Sequence, residues 1–135
     1  MINNNRSGQT FLALVFLIGG IITLAGITLA FLAASFINSG YGYKASVIAE
    51  AAAASGAQDA LLQLDRNPAF SNAGYSLSLG STTATIAVTQ NSPSAGYITI
   101  LSTASSFGRA KKVNIVLLEN TTTAQLNVVS WQEIQ

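Results

Sequence analysis

The stretch that decides the fold is residues 11–37, which read FLALVFLIGGIITLAGITLAFLAASFI. About 20 apolar residues are enough to cross a bilayer as an α-helix. The stretch is apolar on all sides, which is typical of a membrane span and not of an amphipathic helix on a membrane surface. A buried core helix is the alternative, but the rest of this 135-residue chain is too small to surround it. Its only polar residues are Thr23, Thr28 and Ser35.

The charges that flank the apolar stretch predict its orientation. Arg6 precedes it and Lys44 follows it, with no charged residue between them. Tyr41 and Tyr43, just after it, suit an interfacial aromatic belt. The stretch is longer than the about 7–15 apolar residues of a secretory signal. We therefore expect a single-pass chain of the cytoplasmic membrane with its N-terminus in the cytoplasm.

The composition of the chain argues against several classes of function. Charged residues make up 8% of the chain and the net charge is +1, which does not favour nucleic acid as a partner. The sequence has no Cys and no His, which removes disulfides, thiol nucleophiles and Cys/His zinc sites. It has no phosphate-binding glycine loop and no serine-hydrolase motif. We predict no catalytic residue, no metal and no cofactor.

Residues 44–65 continue with a second helical pattern. Alanine, the best helix former, dominates this segment. Pro68 disfavours helical geometry in the residue before it, so the helix should end by Asn67. Two glycines within Asn38–Tyr43 leave open whether the helix is continuous there. An apolar stripe at spacings of three and four consists of Val47, Ala51, Ala54, Ala57, Leu61 and Leu64.

After Pro68, short β-branched runs alternate with Gly, Ser, Thr and Asn. Runs at this spacing predict an antiparallel meander, whose one buried face needs the Ala/Leu stripe as its partner. The fold class is therefore α+β: a long N-terminal helix, membrane-spanning in its lower half, with a small antiparallel sheet of about four or five strands packed on its upper half. The predicted strands are Tyr75–Leu79, Thr82–Gln90, Tyr97–Ser102, Arg109–Glu119 and Ala124–Trp131.

Isolated polar and aromatic residues suggest little further chemistry. On a strand, Arg109 and Lys111 share one face and Lys112 takes the other. A solvated or edge-protecting role and contact with an anionic surface are both open for this basic cluster. Asp59 and the other helix acids are expected to solvate the helix, and Trp131 is expected to anchor the sheet or the helix.

The segment Arg6–Leu14, RSGQTFLAL, resembles the start of type IV pilins and pseudopilins, in particular minor pilins of the PilX-like N-terminal type. In that family a short, polar, basic leader ends in Gly and directly abuts the apolar helix, and prepilin peptidase cuts after that Gly. The resemblance implies cleavage between Gly8 and Gln9. Thr10 matches the family, whereas Gln9 stands where Phe is usual and Ala13 where Glu is usual. Four other segments also look like parts of that group: Ala49–Leu61, Thr99–Thr103, Arg109–Val113 and Ser130–Ile134. The Gly that the group has after the second of these is absent, since Ala104 and Ser105 follow Thr103.

The resemblance implies a structural subunit, of the minor kind, in a type IV pilus or a related type II secretion-like filament. Its partners would be other pilin-like subunits through helix packing, prepilin peptidase, the pilus assembly platform and the lipid bilayer. It would end in an extracytoplasmic filament, and the family's N-methylation would fall on Gln9. The alternative is a single-pass membrane protein that displays a small extracytoplasmic β domain for interaction.

These inferences divide the chain into four segments. They are a leader (1–8), a membrane and filament-core helix (9–43), its Ala-rich continuation (44–67) and the sheet domain (68–135). The helix residues assigned to filament and membrane packing are Phe11, Leu12, Ala13, Leu14, Phe16, Gly19, Gly20, Gly26 and Phe31.

Overall fold

A computed structural model of the protein describes residues 5–120, 122–123 and 125–134. One helix, α1 (Asn5–Arg66), precedes an antiparallel sheet, which confirms the predicted α+β fold. The chain divides into two compact units, Met1–Gly40 and Tyr41–Gln135. The strands are β1 (Asn72–Leu79), β2 (Thr82–Gln90), β3 (Tyr97–Ser106), β4 (Arg109–Glu119) and β5 (Leu126–Ile134).

Helix α1 ends where the sequence predicted. Its last residue is Arg66, and the Asn67 amide donates to the Gln63 carbonyl at 2.9 Å. The Asn67 side chain then accepts a hydrogen bond from the Ala69 amide at 3.2 Å. An Asn side chain that bonds the backbone two residues on stabilises a turn, and this turn leads the chain out of the helix before β1.

Residues 38–43 are helical, which answers the question that the sequence left open. Glycine lowers helix stability by about 1 kcal/mol relative to alanine. A helix that has already formed, however, gains one backbone hydrogen bond for each residue it propagates through. Two glycines separated by one residue therefore do not interrupt α1.

The five described strands form one sheet in the order β1-β2-β3-β4-β5, each antiparallel to its neighbours. A two-residue turn, Phe107-Gly108, joins β3 to β4 and closes the pair Ser106–Arg109. Both turn residues have positive φ, 45° at Phe107 and 76° at Gly108. Turns with two positive φ angles match the right-handed twist of the strands that they join.

Three of the five strands differ from their predicted bounds. β1 begins at Asn72, β3 continues to Ser106, and β5 runs from Leu126 to Ile134. Ser105 and Ser106, whose composition predicted a turn, lie in β3 because the first residues of β4 pair with them. Ala124, the predicted start of the last strand, lies outside the described residues.

The core of the second unit forms between residues 45–64 of α1 and one face of the sheet. The predicted helix stripe is only partly correct: Ala57 and Leu64 are buried, but Val47 is 44% exposed and Ala51 is also exposed. In an alanine-rich helix several faces are apolar, so periodicity alone does not select the buried one. The apolar helix residues that the sheet buries are Ala45, Ala49, Ala52, Ala53, Ala57, Ala60 and Leu64.

Gly56 lies on this buried face and allows α1 to approach the sheet closely. A Cβ atom added there would lie 2.6 Å from Ser102 Oγ, 2.9 Å from Ile86 Cγ1 and 3.0 Å from Ala84 Cβ. Side chains larger than hydrogen have no room at this distance. The buried face is therefore the one that carries the glycine, and the small side chains of Ala84 and Ser102 face it from β2 and β3.

One polar contact also joins the helix to the sheet. The Tyr75 hydroxyl on β1 donates to Asp59 Oδ2 on α1 at 2.8 Å. Burial of the phenol, the hydrogen bond and the negative charge of Asp59 together raise the pKa of Tyr75 well above its ordinary value. Asp59 therefore holds β1 against the helix, a role beyond the helix solvation that the sequence suggested.

Tyr75→Phe is expected to lower the free energy of unfolding by about 1 kcal/mol, because it removes one hydrogen bond. The raised pKa means that the folded state holds the phenolic proton more tightly than the unfolded state. The stabilisation is therefore complete below the ordinary tyrosine pKa, near 10, and is lost as the pH rises above it. Urea unfolding of the full chain in detergent should show a stability difference between wild type and variant that shrinks above about pH 10. A difference that grows with pH would contradict this assignment.

Candidate functional site

The first candidate site is the apolar surface of α1 before residue 38. Every residue from Gly8 to Gly40 is exposed. Phe16 and Phe31 are 74% and 75% exposed, and the least exposed of the large apolar side chains, Ile18, is still 49% exposed. This part of α1 is long and apolar enough to cross a membrane, and none of its most apolar window is buried by the rest of the described chain.

Two of the polar side chains in this segment are satisfied by the helix itself. Thr23 Oγ1 donates to the Gly19 carbonyl and Thr28 Oγ1 to the Leu24 carbonyl, both at 2.8 Å. Hydroxyls that bond the carbonyl four residues earlier offer no free donor to the surroundings. A polar group without a hydrogen bond in hydrocarbon costs on the order of several kcal/mol. Because these two hydroxyls are already bonded, the segment is compatible with a lipid environment.

The predicted helix-packing residues all lie on this exposed surface. Phe11, Leu12 and Leu14 are 52–68% exposed, and Ala13 is exposed beside them. Gly19, Gly20 and Gly26 are helical, and a Cβ on any of them would meet no other part of the described chain within 4 Å. Each glycine therefore leaves a shallow place on the helix surface at which another helix can approach closely.

The predicted cleavage bond, Gly8–Gln9, lies inside α1. The helix begins at Asn5, so an unstructured leader up to Gly8 is not found, and residues 1–4 lie outside the described part. The apolar helix propagates backward through these polar residues by its regular backbone bonding. Gly8 is a weak point in this first turn, since glycine is about 1 kcal/mol less favourable in a helix than alanine.

The second unit exposes further apolar side chains along β5, with Val128 and Trp131 on the helix-facing side of the sheet and Ile134 on the other side. Val128 and Val129 are each 56% exposed, and Trp131 and Ile134 are each 42% exposed. Trp131 pairs with Ile115 of β4, which places both side chains on the helix-facing side of the sheet. Ile115 is fully buried by α1, whereas Trp131 lies closer to the sheet edge and is only partly covered. The predicted anchoring role of Trp131 is therefore incomplete in the single chain.

The basic cluster lies at the β3–β4 hairpin. Ser106 and Ala104 of β3 pair with Arg109 and Lys111 of β4, which puts both cations on the helix-facing side, as the strand alternation predicted. β5 pairs with β4 only from Lys112 to Glu119, so Arg109 and Lys111 lie on a part of β4 whose outer edge has no partner among the described residues, where the predicted edge-protecting role stays open. Phe107, in the turn beside the cluster, is 90% exposed.

The described residues include no group of three or more His, Cys, Asp or Glu side chains that could hold a metal ion. No family model, no curated protein and no solved structure matches the chain. The fold and the exposed helix define an α+β chain with one helix near its N-terminus that is long and apolar enough to span a membrane.

Proposed function

We propose that the protein is a pilin-like structural subunit, of the minor kind, that is held in the cytoplasmic membrane by α1 and then assembles through α1 into an extracytoplasmic filament. The observation that carries the proposal is that a single helix, Asn5–Arg66, has two different environments. Its apolar first part is not covered by any described part of the chain, whereas residues 45–64 supply the helix side of the core of a small sheet domain. The leader-like sequence before Gln9 would let prepilin peptidase cut the chain and so prepare it to leave the membrane for the filament.

The physical basis of assembly is the exchange of apolar neighbours. In the membrane, lipid surrounds the side chains from Phe11 to Ile37. In a filament, the same side chains are surrounded by the helices of other pilin-like subunits. Exposure of even about 500 Å² of this apolar surface to water would cost about 12 kcal/mol, so the helix can leave the lipid only for another apolar environment. Between lipid and filament the gain comes from close packing of helices, from which the cost of association is subtracted. Ala13 provides no carboxylate for an ion pair with a neighbour's N-terminus, so packing has to supply the attraction.

The glycines and the exposed β5 side chains support this assignment. Gly19, Gly20 and Gly26 permit close contacts between helices. Val128 and Trp131 provide apolar area on the sheet domain for contact with a neighbouring subunit. Prepilin peptidase and an assembly platform are the further partners that this function requires.

Leader processing tests the proposal. Expressed with a prepilin peptidase, the chain should begin at Gln9, as read by mass spectrometry of the intact protein, and should occur in the fraction sheared from cells. Gly8→Glu should leave Met1 in place and remove the chain from the sheared fraction. Gln9→Phe, which restores the usual family residue on the other side of the bond, is the matched control and should still be cut.

The same experiment identifies the alternative. A chain that keeps Met1 in the presence of the peptidase, and that stays with the membrane after shearing, is a single-pass anchored protein. Delivery of uncut chain into extracellular fibres in cells without the peptidase would also contradict the proposal.

A further inference from the structure

Phe107 has an unusual position for a large apolar side chain. It occupies the first place of the two-residue β3–β4 turn, where φ is 45°, and it is 90% exposed. Asn, Asp and Gly are the residues that suit such a turn, because they tolerate positive φ. Phenylalanine there strains the backbone, and the described residues leave nearly all of its side chain uncovered. A strained, exposed aromatic residue at a hairpin tip points to a contact outside the chain.

The hairpin lies beside the first residues of the second unit. A Cβ added to Gly42 would lie 3.5 Å from Arg109 Nη2 and 4.0 Å from Arg109 Nε, so the guanidinium packs against the helix at Gly42. Gly42 lies between Tyr41 and Tyr43, which are 70% and 74% exposed. The sequence places these tyrosines just after the apolar stretch, where an interfacial aromatic belt is expected.

The charges around the hairpin have one sign. Residues 41–44 and 105–112 contain four cations and no carboxylate. The carboxylate that strand pairing brings nearest is Glu133, opposite Val113. The four cations are Lys44, Arg109, Lys111 and Lys112, of which Lys111 is half-buried and the others are exposed.

We propose that the β3–β4 hairpin docks on the anionic lipid surface of the membrane in which the chain is anchored, with Phe107 inserted among the headgroups and with Arg109 and Lys112 on lipid phosphates. Trp, Phe and Leu side chains bury apolar area at the headgroup boundary of segments that lie on a membrane, and each Lys or Arg near an anionic surface strengthens binding. This inference rests on the proposed function in one respect only, that α1 spans the membrane. It applies to the membrane-resident subunit, whether or not the chain later enters a filament.

Single cysteines test this proposal cleanly, because the chain has no native Cys. The full, uncut chain is reconstituted into phosphatidylcholine vesicles that contain phosphatidylglycerol, and a fluorophore on Ser105→Cys reports contact with lipids that carry a quencher. Ser105 is exposed and lies two residues from Phe107. We expect quenching at this label. A label on Ser94→Cys, in the loop that follows β2, is the matched control and should not be quenched.

Phe107→Asn separates membrane contact from folding. An Asn-Gly turn is among the best for a two-residue hairpin, so this variant should melt at the same temperature as wild type or higher. Quenching at the Ser105→Cys label should nevertheless disappear, and Phe107→Trp should retain it. Replacing Arg109 or Lys112 by Gln should lower the ratio of docked to undocked hairpin about fivefold for each cation removed.

A label on Ala25→Cys distinguishes the two ways in which the test can fail. If this label is quenched and the Ser105→Cys label is not, the helix spans the membrane and hairpin docking is wrong. If neither label is quenched, the membrane anchoring itself is wrong and the docking proposal fails with it. Unchanged quenching at Ser105→Cys in Phe107→Asn would also overturn the role of Phe107.

Discussion

Gly56→Leu is expected to abolish cooperative unfolding of the sheet domain. Even the first carbon of a side chain at this position would lie 2.6 Å from Ser102 Oγ and 2.9 Å from Ile86 Cγ1. Relief would require α1 to move away from β2 and β3, which would open the core that those strands share with the helix. Overpacking by smaller groups already costs about 1–3 kcal/mol, and whole domains are stable by only about 5–15 kcal/mol.

Gly56→Ala tests the same contact with a smaller side chain, and its effect on the free energy of unfolding should be measurable. Alanine gains about 1 kcal/mol of helix propensity and loses about 1–3 kcal/mol to the clash, so the net effect should be a destabilisation of about 1 kcal/mol. Gly40→Ala is the matched control. It is also a helical glycine, but its added Cβ meets nothing within 4 Å, so the substitution should stabilise the chain. Urea unfolding of the full chain in detergent measures both effects, and equal changes at the two glycines would contradict the proposed packing.

Ser102→Ala tests the same contact from the sheet. Ser102 is fully buried, and its Oγ has no hydrogen-bond partner among the described residues. Removal of an unpaired buried hydroxyl is expected to be neutral or stabilising. In Gly56→Ala it should also recover part of the lost stability, since the nearest clashing atom is gone. A purely additive double variant would show that Ser102 does not limit the approach of the helix.

Leu24→Arg combined with Leu29→Arg is expected to release the chain from membranes. On insertion scales, arginine at a helix centre costs about 2.5–3.5 kcal/mol, whereas leucine contributes about −0.3 to −0.6 kcal/mol. Two such exchanges therefore shift the free energy of insertion by about 6–8 kcal/mol. Both leucines are exposed, at 67% and 66%, so the exchange should leave the core of the sheet domain intact.

Alkaline carbonate extraction of membranes measures this effect. The wild-type chain should stay in the membrane pellet, and the double arginine variant should appear in the soluble or aggregated fraction. Leu24→Ile with Leu29→Ile is the control, because it changes shape and keeps apolarity. A double arginine variant that resists extraction as well as wild type would contradict a membrane-spanning role for this segment.

The length of the apolar stretch and the composition of the turns were enough to predict most of the fold. The uncharged stretch from Phe11 to Ile37 and the alternation in Thr82–Gln90 predicted the helix and the antiparallel sheet correctly. The strand ends were less accurate, because pairing with a neighbour, as at Ser105 and Ser106, extends a strand through residues that resemble a turn. The pilin-like assignment remains a proposal that leader processing will test.

The sequence by itself determined that one helix is long and apolar enough to span a membrane and that it ends before Pro68, because chain length, hydropathy and backbone sterics are local properties. Only the tertiary structure decided which face of the alanine-rich segment is buried. That choice depends on the space that Ala84, Ile86 and Ser102 leave at Gly56, and these residues lie 28 to 46 positions later in the chain. The tertiary structure alone also brought Arg109 next to Gly42 and Tyr75 next to Asp59, since contacts between distant residues are set by strand register.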